Sequence, residues 1–137
     1  MIAVILMIVM AQAPSLNMTA VAQGTSSGID DSREVVVRSP AEWQALWKAH
    51  AGPQAAPAID FSTDVVAAVF LGTRPTGGFQ VEIVAARLEN GALMVEYVER
   101  RPGADAIVTQ VQTSPFHIVK LPRFDGPIRF RRSASAP

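Results

Sequence analysis

Ser114 and His117 stand three residues apart in SPFH, and with Asp105 or Asp125 they are the side chains from which a nucleophilic triad could be built. A serine attacks only when a nearby base takes its proton and a third group orients that base. The surroundings argue against this use. SPFH lies in no strand–elbow–helix context, and no glycine follows the serine to form an oxyanion hole. His117 sits in the apolar run FHIVKL, where a hydrogen-bonded core or edge histidine is the commoner arrangement. His50 falls in the last turn of a helix, whose dipole favours a partly charged imidazole, and it reads as structural.

Metal chemistry has little to work with. The two histidines form no H-x-x-x-H or H-x-x-E-H spacing, and neither Asp30-Asp31 nor Asp60 with Asp64 has the ligand density of a calcium loop. Glu96 and Glu99 alternate along one strand, so they cannot flank a substrate bond, and both read as solvent-facing. There is no phosphate-binding or dinucleotide glycine pattern. No metal and no cofactor is expected. The chain reads as non-enzymatic, with a small serine hydrolase on Ser114 and His117 as an alternative.

A different stretch, GTRPTGGF at 72–79, is specified for shape. Pro75 presets its own φ, while Gly77 and Gly78 accept dihedrals that other residues resist. Any hairpin could use such a turn. As a recognition element it would expose Arg74 and Thr76, tuck Phe79 back to the core, and lose little entropy on docking.

The whole chain has 137 residues, no cysteine and a formal net charge of zero. That length suits one domain with a modest core. The charge balance lacks the basic surplus that nucleic acid binding needs, and the basic RFRR near the end reads as a solvated tail. Without cysteine there is no disulfide, no thiolate nucleophile and no lipid-modified amino-terminal cysteine. The apolar run from Met1 to Ala11 is shorter than the ~20 residues of a membrane span and resembles the apolar region of a signal peptide. Ala20-Val21-Ala22 before Gln23 fits the cleavage rule, whereas Ala11-Gln12-Ala13 is followed by the unfavourable Pro14. The expected organisation is a signal peptide at 1–22, a flexible linker at 23–32, a domain at 33–130 and a disordered tail at 131–137. Export to the periplasm or medium follows.

These candidates need elements to position them. REVVVRS is a β-branched strand, and SPAEWQALWKAH carries a full helix start: Ser39 as cap, Pro40 at the first position and Glu42 three residues on. Trp43, Leu46, Trp47 and His50 share one face, and Gly52-Pro53 ends the helix. DVVAAVFLG is apolar enough for a central strand buried on both faces. GFQVEIVAARL and ALMVEYVERR flank ENG, a hairpin signal. A two-residue Asn90-Gly91 loop would set Glu82 opposite Glu99. A three-residue loop with Gly91 as a bulge aligns Phe79, Val81, Ile83 and Ala85 with Leu93, Val95 and Tyr97, and is preferred. That register sets Phe79 opposite Arg101, so the loop of Arg74, Pro75, Thr76, Gly77, Gly78 and Phe79 adjoins that of Arg100, Arg101, Pro102 and Gly103. AIVTQVQ, FHIVKL and PIRFR supply further strands. The fold class is α+β, a mainly antiparallel sheet, sandwich or half-barrel-like, with one amphipathic covering helix.

VFLGTRPTGGFQVEI, LMVEYVERRPGADAIVTQVQTSPFHIVKLPR and EWQALWKAH together resemble the PrcB-like family, over most of residues 33–130. The resemblance implies a small exported β-rich domain without chemistry of its own, which associates with and stabilises a secreted protease. Some members are lipoproteins, a feature this cysteine-free chain does not share. RPTGGF is also locally similar to the N-P-T-T-G-[FY] loop of chagasin-type protease inhibitors, departing from it at Arg74 and Gly77, so peptidase inhibition is a second alternative. The ten residues of the two loops are the expected protein contact, and their arginines suit acidic or carbonyl-rich surfaces.

Overall fold

The computed structural model describes residues 14–133. Strands β1 (Thr19–Gly24) and β2 (Ser32–Val37) precede helix α1 (Pro40–Ala51). Strands β3 (Asp64–Leu71), β4 (Gln80–Glu89), β5 (Ala92–Arg100), β6 (Phe116–Pro122) and β7 (Ile128–Arg132) follow. A four-stranded antiparallel sheet in the order β1-β6-β3-β2 faces a three-stranded sheet in the order β4-β5-β7, where β5 and β7 run parallel. The α+β, mainly antiparallel expectation holds, as an open sandwich rather than a closed barrel.

The helix starts where its capping residues require. Ser39 Oγ accepts the Glu42 N–H at 3.3 Å and donates to Glu42 Oε1 at 2.9 Å. Gly52 closes the other end at φ 61°, its N–H donating to Lys48 O. Trp43, Leu46, Trp47 and His50 are buried, and the two indole N–H groups donate to Pro57 O and Gln54 O. Residues of β3 sort by parity: Val66, Ala68 and Phe70 pack under α1, while Val65, Ala67, Val69 and Leu71 face the second sheet. Burial on both faces is why this strand reads as one apolar run.

Four sequence expectations change. The β4–β5 turn is the two-residue one, with Asn90 and Gly91 both at positive φ, the pair a type I′ turn needs. The bulge lies instead at Val84, where the register shifts between Ile83 and Ala85. Both registers therefore occur in one hairpin: Glu89↔Ala92 near the turn, and Gln80↔Arg100 at the far end. AIVTQVQ forms no strand, because β5 ends at Arg100 and β6 begins at Phe116. Its backbone bonds to the 72–79 loop instead of to a ladder. Arg131 and Arg132 belong to β7, not to a disordered tail, and the Ser133 N–H donates to Tyr97 O.

The fourth change concerns the amino end, of which residues 1–13 lie outside the described part. Residues 23–32 are not a linker. Gln23 and Gly24 pair with His117 and Phe116, the Gly28 N–H donates to His50 O, and Ile29 is buried. The Ala22–Gln23 bond lies inside β1. Upstream, the Leu16 N–H donates to Ala86 O, and Leu16 and Met18 pack against the inter-sheet core. Small residues such as Ala20 and Ala22 suit a protease site and an edge strand alike, and here both pair with β6.

The outer edge of β4 is closed by groups from the opposite sheet and from the segment leading into β1. Gln23 Nε2 donates to Val81 O, the Ile83 N–H donates to His117 Nδ1, and the Ala86 N–H donates to Ser15 Oγ. On the other side, Tyr97 Oη donates to Glu34 Oε2 at 2.7 Å, and burial beside that carboxylate pushes the phenol up to about 12. Among the described residues no helix is long and apolar enough to cross a membrane.

Candidate protein-binding surface

Two loops meet at the end of the molecule where β3 leaves its sheet and β4 begins. The Arg74 N–H donates to Thr113 O at 2.8 Å, and the Thr113 N–H donates back to Arg74 O at 2.9 Å. The Gly77 N–H donates to Thr109 O, and Thr113 Oγ1 donates to Thr76 O, both at 2.9 Å. Residues 101–115 thus lie along the 72–79 loop and hold its backbone. This contact explains the paired glycines. A Cβ on Gly77 would run into Thr109 Oγ1. Gly78, at φ 89°, would put one 2.8 Å from Pro102 Cβ and 2.9 Å from Val108 Cγ1. The turn is specified by a neighbour that must touch it, as well as by its dihedrals.

Arg74 does not project. Its Nε donates to Glu99 Oε1 at 2.8 Å, one terminal nitrogen donates to Leu71 O at 3.0 Å, and the guanidinium lies 5.9 Å from the Phe79 ring centroid. Thr76 Oγ1 turns back to Gly77 O. Within this loop, Pro75 and Gly78 are exposed, and Arg74, Thr76, Gly77 and Phe79 are half-buried. The expectation of Arg74 and Thr76 as free contacts is corrected: their polar groups are already engaged inside the molecule.

Glu99, expected to face solvent, is only 2% exposed. Besides Arg74 it receives Arg101, at 3.5 Å, and Arg132. Three guanidinium groups converge on this one carboxylate. Alternation foretold the burial, since Glu99 continues the inward face of Leu93, Val95 and Tyr97. Arg101 remains largely exposed. Arg100 pairs with Glu82 at 3.2 Å on the open surface, and a pair so exposed contributes little. Pro102 is half-buried against Gly78, and Gly103 is exposed.

What the molecule presents here is apolar. Ile107 is 101% exposed and Val111 62%, both on the long segment between β5 and β6. Val108 and Thr109, between them, anchor that segment to the glycines. A long loop without regular structure, pinned at mid-length with apolar side chains left in solvent on either side of the pin, is a common form of binding element.

The catalytic alternative finds no assembly. His117 points into the inter-sheet core with Nδ1 occupied by Ile83, so its remaining proton sits on Nε2, which has no described partner. Burial holds its pKa below the usual imidazole value, with the Glu82 carboxylate opposing weakly. Ser114 is occupied in the main chain, bridging to Ser26 and donating its N–H to Thr25 O. Asp125 is taken by Arg123 at 2.9 Å. A Ser–His contact that sequence reasoning missed does exist: Ser27 Oγ lies 2.8 Å from His50 Nδ1 and also accepts the Ile29 N–H. His50 is buried among Trp47, Phe70 and Phe116, and desolvation lowers its pKa, overriding the helix dipole. Among the described residues no third group orients it, and this contact fastens residues 24–29 to the end of α1. Nothing in the sequence linked these positions, which are 23 residues apart.

Residues 65–122, from β3 to the end of β6, match the family model described as PrcB C-terminal. Over this segment the chain is similar to the PrcB-like family. The PrcB-like segment contains both loops and Glu99, whereas β1, β2, α1 and β7 lie outside the matched residues. The family is of a protease-complex subunit type rather than a catalytic one, and it suggests association with a protease complex. No curated protein and no solved structure matches the chain.

Proposed function

We propose that this protein is an exported, non-enzymatic binding domain that associates with a secreted or envelope protease through the loop end of its PrcB-like segment. The observation that carries the contact is the full exposure of Ile107 beside Val108 and Thr109, which lie against Gly78 and Gly77. An isoleucine held in water by a braced backbone loses little further freedom when a partner covers it. Arg101, exposed beside Glu99, adds guanidinium donors for a carboxylate or carbonyl at the rim of that contact. Family kinship supports the protease as partner, and the apolar start of the chain supports export. A signal-peptide cut before Ser15 rather than after Ala22 belongs to this reading, and the ladder of β1 and the bond of Leu16 to Ala86 support that choice.

The test is a crosslinking pull-down from envelope and medium fractions, read by mass spectrometry, with wild type and an Ile107→Asp/Val111→Asp variant. Wild type captures a protease, and the variant loses it with an unchanged melting temperature. Equal capture by the variant would take the loop out of the contact. Capture of no protease by either would remove the partnership.

A further inference from the structure

The sandwich has four strand edges, and three are blunted. β1 carries a register break at Ala20/Ala22, β4 is covered by Ser15, Leu16, Gln23 and His117, and β7 is lined with arginines. Bulges, covering groups and charge are the devices by which sheets refuse an extra strand. β2 has none along its second half. It pairs with β3 from Ser32 to Val37 without a break and ends in three valines.

The direction of its free groups follows from the ladder. The Leu71 N–H donates to Pro115 O, toward β6, so the pair Ser32↔Leu71 is not hydrogen-bonded. By alternation Glu34 and Val36 aim both N–H and C=O away from β3. No described backbone group takes them. Beside this edge runs a groove of about 330 Å³ between β2 and α1, walled by Val35, Val37, Ala45 and Ala49. Arg33 stands at one end and Glu42 at the other.

We propose that the β2 edge takes up an extended segment of a partner polypeptide as an added antiparallel strand. A row of main-chain donors and acceptors at strand spacing is complementary to another extended backbone. The groove selects apolar side chains at alternate positions. Glu42, near the Val37 end, meets the start of an antiparallel segment, and Arg33 meets its end, so the segment is basic first and acidic last. Arg33 is shared with Asp31 at 2.5 Å, but both are exposed, and such a pair is readily exchanged. This surface is separate from the loop end and does not depend on the reading given there.

The probe is a fluorescein-labelled Lys-Thr-Val-Thr-Val-Thr-Glu peptide, titrated with the full chain by fluorescence anisotropy. Val36→Pro removes one outward N–H at an edge position and weakens binding about fivefold or more. Of two probes N-methylated on alternate residues, one binds like the parent and the other fails, a result that needs no protein variant. Exchanging the terminal Lys and Glu also weakens binding, and the Ile107→Asp/Val111→Asp protein binds as wild type does. No binding at protein concentrations near ~1 mM, or equal binding of both methylated probes, overturns the proposal. So does a chain that sediments as a dimer dissolved by Val36→Pro, since the edge would then serve a second copy.

Discussion

The backbone N–H of Ile83 donates to His117 Nδ1 across the gap between the two sheets, at 2.8 Å. This bond can exist only while Nδ1 keeps its lone pair, so the sandwich is fastened by a neutral imidazole.

Stability should therefore depend on pH. His117 and His50 both have folded pKa values below the ordinary 6.5, chiefly through burial. A histidine depressed on folding contributes stability above its unfolded pKa and loses it as pH falls through the folded value. Urea midpoints should be level near neutrality and fall below pH ~6.5. A His50→Asn/His117→Gln protein should show a shallower fall. Midpoints level down to pH ~5 would refute the account.

Glu99→Gln should be costly. It leaves the half-buried Arg74 guanidinium facing a neutral amide, and breaking a buried pair costs about 3–5 kcal/mol. Arg74 keeps some access to water, so about 3 kcal/mol is expected from urea unfolding. Arg100→Ala, which breaks an exposed pair, should change stability by less than ~0.5 kcal/mol. Similar losses for both would contradict the different burial of their partners.

Gly77→Ala should destabilise by about 1–3 kcal/mol, because the new methyl meets Thr109 Oγ1. Thr109→Ala removes that oxygen, so the double variant should recover part of the loss. A double-mutant cycle measures the coupling, and strict additivity would mean that the loops do not touch here.

The amino end gives a direct comparison. A chain beginning at Pro14 should fold with the stability of the full domain. One beginning at Gln23 loses Leu16, Met18 and most of β1, and should unfold at markedly lower temperature. Intact mass of protein recovered from the periplasm or medium should show a start ahead of Ser15. A mature protein that starts at Gln23 and melts normally would reverse this view.

Local rules carried much of the fold. Ser39, Glu42 and Gly52 bound α1 because capping is satisfied within a few residues. DVVAAVFL is central because an unbroken apolar strand must be covered on both faces. What escaped depends on distant partners. Ala20 and Ala22 lack strand propensity and become strand by pairing with β6. Ile107 and Val111 alternate like strand residues, but their segment's backbone is claimed by Arg74 and Gly77. Glu99 was legible by parity and was misassigned because its chemistry pointed outward. Arg74 follows it inward, so the sequence brings the two loops together and mistakes which residues they display.

The bulge at Val84 has a consequence for how this strand can vary in length. Inward positions of β4 are odd-numbered at Val81 and Ile83 and even-numbered at Ala86, with the surplus residue taken up between them. Losing Val84 would join the two halves with every partner retained, whereas losing a residue away from the bulge would turn the stretch between that point and the bulge inside out. Relatives one residue shorter in this hairpin are expected to have shed it there.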